Sequence, residues 1–188
     1  MSKEDMSEKY DDGAAGQRHY QKPRLFVREI SGLTYCLDDE LKRLRSLPRV
    51  TKGKDMEFKK GPQYFNCTIL SPKNGTSQSL YAHMVVIAPG GKSQKHGHVN
   101  GACFYILDGK GYDVHDGKRV DWKAGDVAIV PNHTVHQHFN ADADKLARAL
   151  IIKSKPFYLF MNMLFQDVVE DQPKHPGPGH EDIKPSIA

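Results

Sequence analysis

From residue 63 onward the chain breaks into short apolar or alternating runs, and that rhythm constrains the fold more than any other feature. "QYFNCTIL", "SLYAHMVVIA", "CFYIL", "GYDVHDG", "RVDW", "DVAIV" and "ARALIIK" follow one another, separated by "SPKNGTS", "PGGKS", "DGKG", "KAGD" and "NADADK". Alternating runs bounded by Gly, Asn and Asp clusters read as strands joined by tight turns. Regular short strands of this kind close into a sandwich or a barrel. The predicted fold class is all-β.

The flanks have a different texture. Residues 1–24 are polar with no apolar period and read as a flexible arm. Residues 25–62 read as a helical extension. In "DDELKRLRSL", Leu41, Leu44 and Leu47 recur at helical spacing behind Asp38 or Asp39 as cap, and Pro48 stops the run. The barrel domain is expected over 63–170. It ends in "KPFYLFMNMLFQDVVE", an apolar helix or strand expected to be buried, either covering the barrel or at a subunit contact. The tail 171–188 is Pro/Gly-rich and carries no predicted element.

Composition excludes several classes. Hydrophobic content of 38% and charged content of 27% are those of an ordinary globular domain. No run approaches the roughly 20 apolar residues that span a bilayer, so no membrane partner is expected. The N-terminus has no apolar signal segment, and Cys36, Cys67 and Cys103 form no C-x-x-C pair; reduced thiols and a cytoplasmic location are expected. The basic stretch from Lys42 to Lys60 lacks aromatic interleaving and reads as a solvated face, with no nucleic-acid partner.

Seven of the ten histidines lie between residues 83 and 138. Residues i and i+2 of a strand share a face, so His96 and His98 aim together, as do His136 and His138. Imidazole is the commonest neutral nitrogen ligand for Fe, Zn, Ni and Cu. Two imidazoles facing one interior without metal or partners would be costly, so the two pairs are expected to converge on one ion. In the second pair one histidine serves as ligand and the other stands behind it or lines the pocket. His83, His115 and His133 are set aside as surface or core residues, with His115 at a hairpin facing solvent.

These residues resemble the cupin family. Its first motif is matched by Gly90, "GKSQK", His96-Gly97-His98 and the strand to Gly109. Its second is matched by Gly125, "DVAIV", Pro131, "NHTV", His136, "QHF" and Asn140. The resemblance implies a cupin jelly-roll barrel (a double-stranded β-helix) with His96, His98 and His136 as metal ligands. The family's glutamate falls on Ala102. In this the chain resembles the three-histidine branch, the gentisate and hydroxynaphthoate dioxygenases, which are usually longer and carry two such domains.

Three neutral imidazoles leave a divalent ion its full charge, which suits a substrate bringing two anionic oxygens of its own. The expected function is a non-haem Fe(II) dioxygenase that cleaves a carbon–carbon bond of an aromatic hydroxy-acid or similar chelating, anionic small molecule. Mn, Ni and Zn are the alternative metals, and a non-oxidative lyase, decarboxylase or isomerase the alternative activity. A domain that binds a small acid without turnover is the third reading. His138, Tyr105 and Gln94 are the candidate catalytic residues, as acid, base or hydrogen-bond donors. Cys103 is expected to point away from the metal and Trp122 to pack at a turn. The resemblance also implies a homodimer or higher homo-oligomer.

Overall fold

The computed structural model describes residues 28–30, 33–35, 38–59, 61–176 and 183–187. The expected arm over 1–24 and Cys36 lie outside them. The chain divides into two compact units, 1–49 and 50–188. In the first, strands β1 (Arg28–Ile30) and β2 (Leu33–Tyr35) pair as an antiparallel hairpin, followed by helix α1 (Asp38–Ser46). The helix is where its leucine spacing predicts it. The hairpin was not expected. The basic residues Lys42, Arg43, Arg45, Arg49, Lys52, Lys54 and Lys59 are exposed, as a solvated face should be.

The second unit is the barrel. Its strands are β3 (Tyr64–Leu70), β4 (Tyr81–Ile87), β5 (Lys95–His98), β6 (Ala102–Asp108), β7 (Lys110–His115) and β8 (Lys118–Lys123). They continue with β9 (Val127–Val130), β10 (Val135–Asn140), β11 (Ala147–Lys153) and β12 (Gln166–Glu170). Two five-stranded antiparallel sheets result, ordered β12-β5-β10-β7-β8 and β3-β4-β11-β6-β9. Each predicted run became a strand or part of one because its apolar residues recur at period two and bury one face. The inward set, Val85, Ile87, Phe104, Ile106, Ala149 and Ile151 with Trp122, forms the core between the sheets.

The outer face of the second sheet is also covered. Phe65, Val86 and Ala88 form a second buried cluster against which Phe58, Leu146 and Ile183 pack. The Arg148 guanidinium donates to the Ile187 carbonyl (3.0 Å). Part of the tail expected to be structureless therefore docks on the barrel wall, because Ile183 finds an apolar surface to bury.

The segment 155–170 corrects another expectation. It is neither one helix nor one strand. Pro156 starts a short helix, α2 (Lys155–Phe160), and the chain then reverses into edge strand β12. Nor is it buried, for Phe157, Phe160, Met163 and Phe165 are each half exposed or more. A six-residue helix has too little surface to cover a barrel end.

Trp122 lies in β8 rather than at a turn, and Gly111 on β7 makes room for it. A Cβ on Gly111 would stand 2.4 Å from the indole and 2.1 Å from the Phe139 carbonyl oxygen. We expect Gly111→Ala to cost about 1–3 kcal/mol, as overpacking does, and to shift the emission of Trp122, the single tryptophan. Unchanged emission and melting temperature would show that the barrel yields there without strain.

Candidate metal centre

β10 is the middle strand of the first sheet, and its pairing assembles the site. His136 lies opposite His96 on β5 and His115 on β7, while His138 lies opposite Asp113. Alternation adds His98 on the His96 face. The ring centroids of His96, His98 and His136 are 4.3 to 5.4 Å apart. One nitrogen of each lies within 4.8 Å of the others.

Hydrogen bonds select which nitrogen each ring offers. A carbonyl can only accept, so the ring nitrogen facing it carries the proton. His96 Nδ1 donates to the Gln94 carbonyl (3.4 Å), His98 Nδ1 to Asn100 (2.6 Å) and His136 Nδ1 to Thr134 (3.0 Å). All three rings thereby present a lone pair on Nε2. His98 Nε2 is buried with no protein partner among the described residues. An orphaned buried nitrogen within a converging neutral set fits a divalent metal held by three imidazoles.

Electrostatics keep the set in its ligating form. Burial first, then the Lys153 charge, lowers His96 to about 3 and His98 to about 4. Burial and the charge of His138 lower His136 to about 2. A neutral imidazole is the form that binds metal, so no proton needs displacing near neutrality.

Beside the cluster sits a second constellation that the sequence reading only half anticipated. Asp113 is fully buried. Its Oδ1 accepts from His138 Nδ1 (2.9 Å) and Trp122 Nε1 (2.8 Å), and its Oδ2 from His115 Nε2 (3.3 Å). Burial alone would raise this carboxyl, but the His138 charge and the donors outweigh it and hold it well below the usual carboxylate range. His138 is stacked flat on Phe104 (4.6 Å between centroids), with Tyr64 parallel to it at 6.4 Å. Its Nδ1 is committed to Asp113, which leaves Nε2 as acceptor.

The remaining expectations divide. Gln94 lines the cavity beside His96 and His98, a space of about 180 Å³. Tyr105 does not reach it. Phe104 points inward, so its neighbour Tyr105 points outward and is 41% exposed; we withdraw it as a candidate. Cys103 shares that outward face by alternation, as expected, and is half-buried. His115 does not face solvent but turns in toward Asp113, its side chain 12% exposed. His133 is at the surface with φ 64°, as anticipated.

Two cavity residues escaped the sequence reading. His83, set aside, is buried on the wall. Lys153 ends the run "ARALIIK", and its alternation with buried Ala149 and Ile151 was the signal that could have placed it inward.

Comparison with known proteins agrees with this architecture. Residues 83–153 match the Cupin domain family, and the two packed antiparallel sheets have the cupin jelly-roll fold. The three-histidine cluster suits a divalent metal. The chain is 38% identical over 68 residues to gentisate 1,2 dioxygenase 1 of Aquipseudomonas alcaligenes. It is 29% identical over 69 residues to 5-aminosalicylate 1,2-dioxygenase of Comamonas sp. These stretches are 36% and 37% of this chain but only 19% and 18% of those proteins.

Among solved structures, a salicylate 1,2-dioxygenase mutant from Pseudoaminobacter salicylatoxidans, in complex with gentisate, superposes with a TM-score of 0.53. The identity is 16%, over 82% of this chain and 44% of that one. A mutant of Bacillus subtilis oxalate decarboxylase gives 0.52 at 20% identity, over 62% and 31%. These likenesses concern the fold. Among the described residues no helix is long and apolar enough to cross a membrane.

We expect His96→Ala, His98→Ala and His136→Ala each to cut metal content below about a tenth of wild type while the barrel still folds, as loss of a ligand should. Elemental analysis with far-UV circular dichroism checks this. Full occupancy in His136→Ala would move the third ligand to His138.

The pKa shifts also carry a sign. Unfolded imidazoles take protons near 6.5, whereas the folded ones resist until about 4 or below. Between those values the unfolded chain holds more protons, so stability of the metal-free protein falls as pH drops through that window. Its melting temperature at about pH 5 should lie below that at about pH 7.5. A flat profile would mean that the rings titrate normally.

Proposed function

We propose that this cupin is a metal-dependent enzyme, a non-haem Fe(II) dioxygenase acting on an aromatic hydroxy-acid or similar O,O-chelating anion. The observation that carries the reading is a cluster of three neutral imidazoles with no carboxylate among its ligands. Ala102 occupies the motif's acid position, and Asp113, the nearby buried acid, is committed to His138, Trp122 and His115. Held by His96, His98 and His136, a ferrous ion would supply Lewis acidity and a binding position for O2.

The rest falls to the protein. A chelating anion is favoured because Lys153 and Lys155 line the cavity and, among the described residues, no Asp or Glu does. Gln94 can donate from its amide to a substrate oxygen. His138 can accept a proton at Nε2 while Asp113 holds its tautomer and orientation. The similarity to gentisate and aminosalicylate dioxygenases supports this reading, although the matched stretch is under a fifth of those proteins.

A second reading keeps the metal and omits oxygen. The buried His138–Asp113 pair is a ready acid–base device, which a lyase or isomerase also requires. One experiment separates the two. The purified protein is analysed for metal, loaded anaerobically with Fe(II), and followed by oxygen electrode with gentisate, salicylate, hydroxynaphthoate and catechol-type acids. Near one iron per chain with substrate-dependent oxygen uptake is the expected result. Zinc, nickel or manganese with no uptake would transfer the assignment to non-oxidative chemistry, and a site that resists every metal would end both.

A further inference from the structure

The cavity wall facing the histidine cluster is unusual in what it lacks. Lys153 at the end of β11 is half-buried, and its ammonium is pushed down to about 8 by desolvation and by Lys155. Among the described residues no carboxylate pairs with it, and none lines the cavity. Lys155 has a partner, donating to Gln166 Oε1 (2.9 Å). An ammonium partly withdrawn from water with no counter-charge is disfavoured and gains from an anion.

His83 on β4 repeats the pattern. Its ring is 5% exposed, and Nδ1 accepts from the Asn66 amide nitrogen at 2.9 Å. In the neutral ring this leaves the proton on Nε2, which is buried and has no partner among the described residues. Burial, and then the Lys153 charge, keeps the ring neutral. One wall thus presents a cation without a counter-charge and a buried N–H donor without a partner, both lining the space that His96 and His98 line from the other sheet. An adjoining groove shares Tyr81 and Lys155 with this cavity, adds Lys59 and Lys73, and among the described residues is also without Asp or Glu in its lining.

We propose that Lys153 and His83 form an anion subsite for a carboxylate that the metal does not hold. The substrate is then a chelating compound with an additional carboxylate, its chelating oxygens at the three histidines and its free acid on the facing sheet. The inference rests on the reading that those histidines hold a metal. It goes further by assigning the specificity for an acid to residues outside the metal cluster.

The test uses the full-length protein loaded with Zn(II), which is redox-silent, and two probes that differ by one group: catechol and 3,4-dihydroxybenzoate. Both offer the same adjacent hydroxyls for chelation, and only the second adds a distant carboxylate. Calorimetric titration should show wild type binding 3,4-dihydroxybenzoate at least tenfold more tightly than catechol. Lys153→Met should abolish that preference, Lys153→Arg should retain part of it, and His83→Phe should reduce it. Zinc content should stay unchanged in all three variants.

Equal affinities in wild type would overturn the subsite even if Lys153→Met does not fold, as would a preference that survives in Lys153→Met. Failure of the underlying reading looks different, because zinc then does not load at all or leaves both affinities unaltered.

Discussion

The site depends on one register, that of β10 between β5 and β7. His136 and His138 enter the barrel only because β10 pairs with His136 opposite His96 and His138 opposite Asp113. A slip of one residue would turn both histidines to the other face and remove His136 from the three-histidine cluster. Side chains outside the cluster pin that register. Gln137 donates to the Ser93 carbonyl (2.7 Å), and Ser93 Oγ accepts from the His138 backbone (3.0 Å). At the end of β10, the Asn140 amide donates to the carbonyls of Ala88 and Lys145 (3.0 and 2.7 Å). The asparagine that closes the second motif therefore has a structural reason to be there.

Charge inside the barrel is arranged by the same pairing. Two rows of side chains cross the first sheet side by side: His96, His136 and His115, then His138 and Asp113. Only Asp113 is an acid, and its donors absorb its charge locally. It orients His138 without contributing a ligand to the cluster. Three neutral rings and a sequestered carboxylate would leave a divalent ion its full charge, and Lys153 and Lys155 line the same cavity from the facing side.

The two sheets consequently have separate duties. The first carries the histidines and Asp113. The second carries the apolar core and the donors His83 and Lys153. Its outer face is sealed by Phe58, Leu146 and Ile183 around Phe65, Val86 and Ala88. The segment through α2 and β12 keeps its aromatic and methionine side chains outside this arrangement, exposed beside a free sheet edge.

By itself the sequence determined what is periodic and local. Alternating apolar runs between glycine turns specify strands, and H-x-H spacing within a strand specifies two ligands on one face. Leucine spacing specifies α1. Placement that depends on which strands become neighbours was decided only by the tertiary structure. Tyr105 was a plausible donor until Phe104 took the inward position. His115 looked solvent-bound until β7 paired with β10, which set it opposite His136 and turned its face, shared with Asp113, into the barrel. His83 and Lys153 were unremarkable letters in apolar runs, because nothing local shows that β4 and β11 face the metal cluster across the barrel. The physical reason is that backbone periodicity acts over a few residues of one strand. A binding site is the sum of side chains that pairing and closure bring together from strands far apart in the chain.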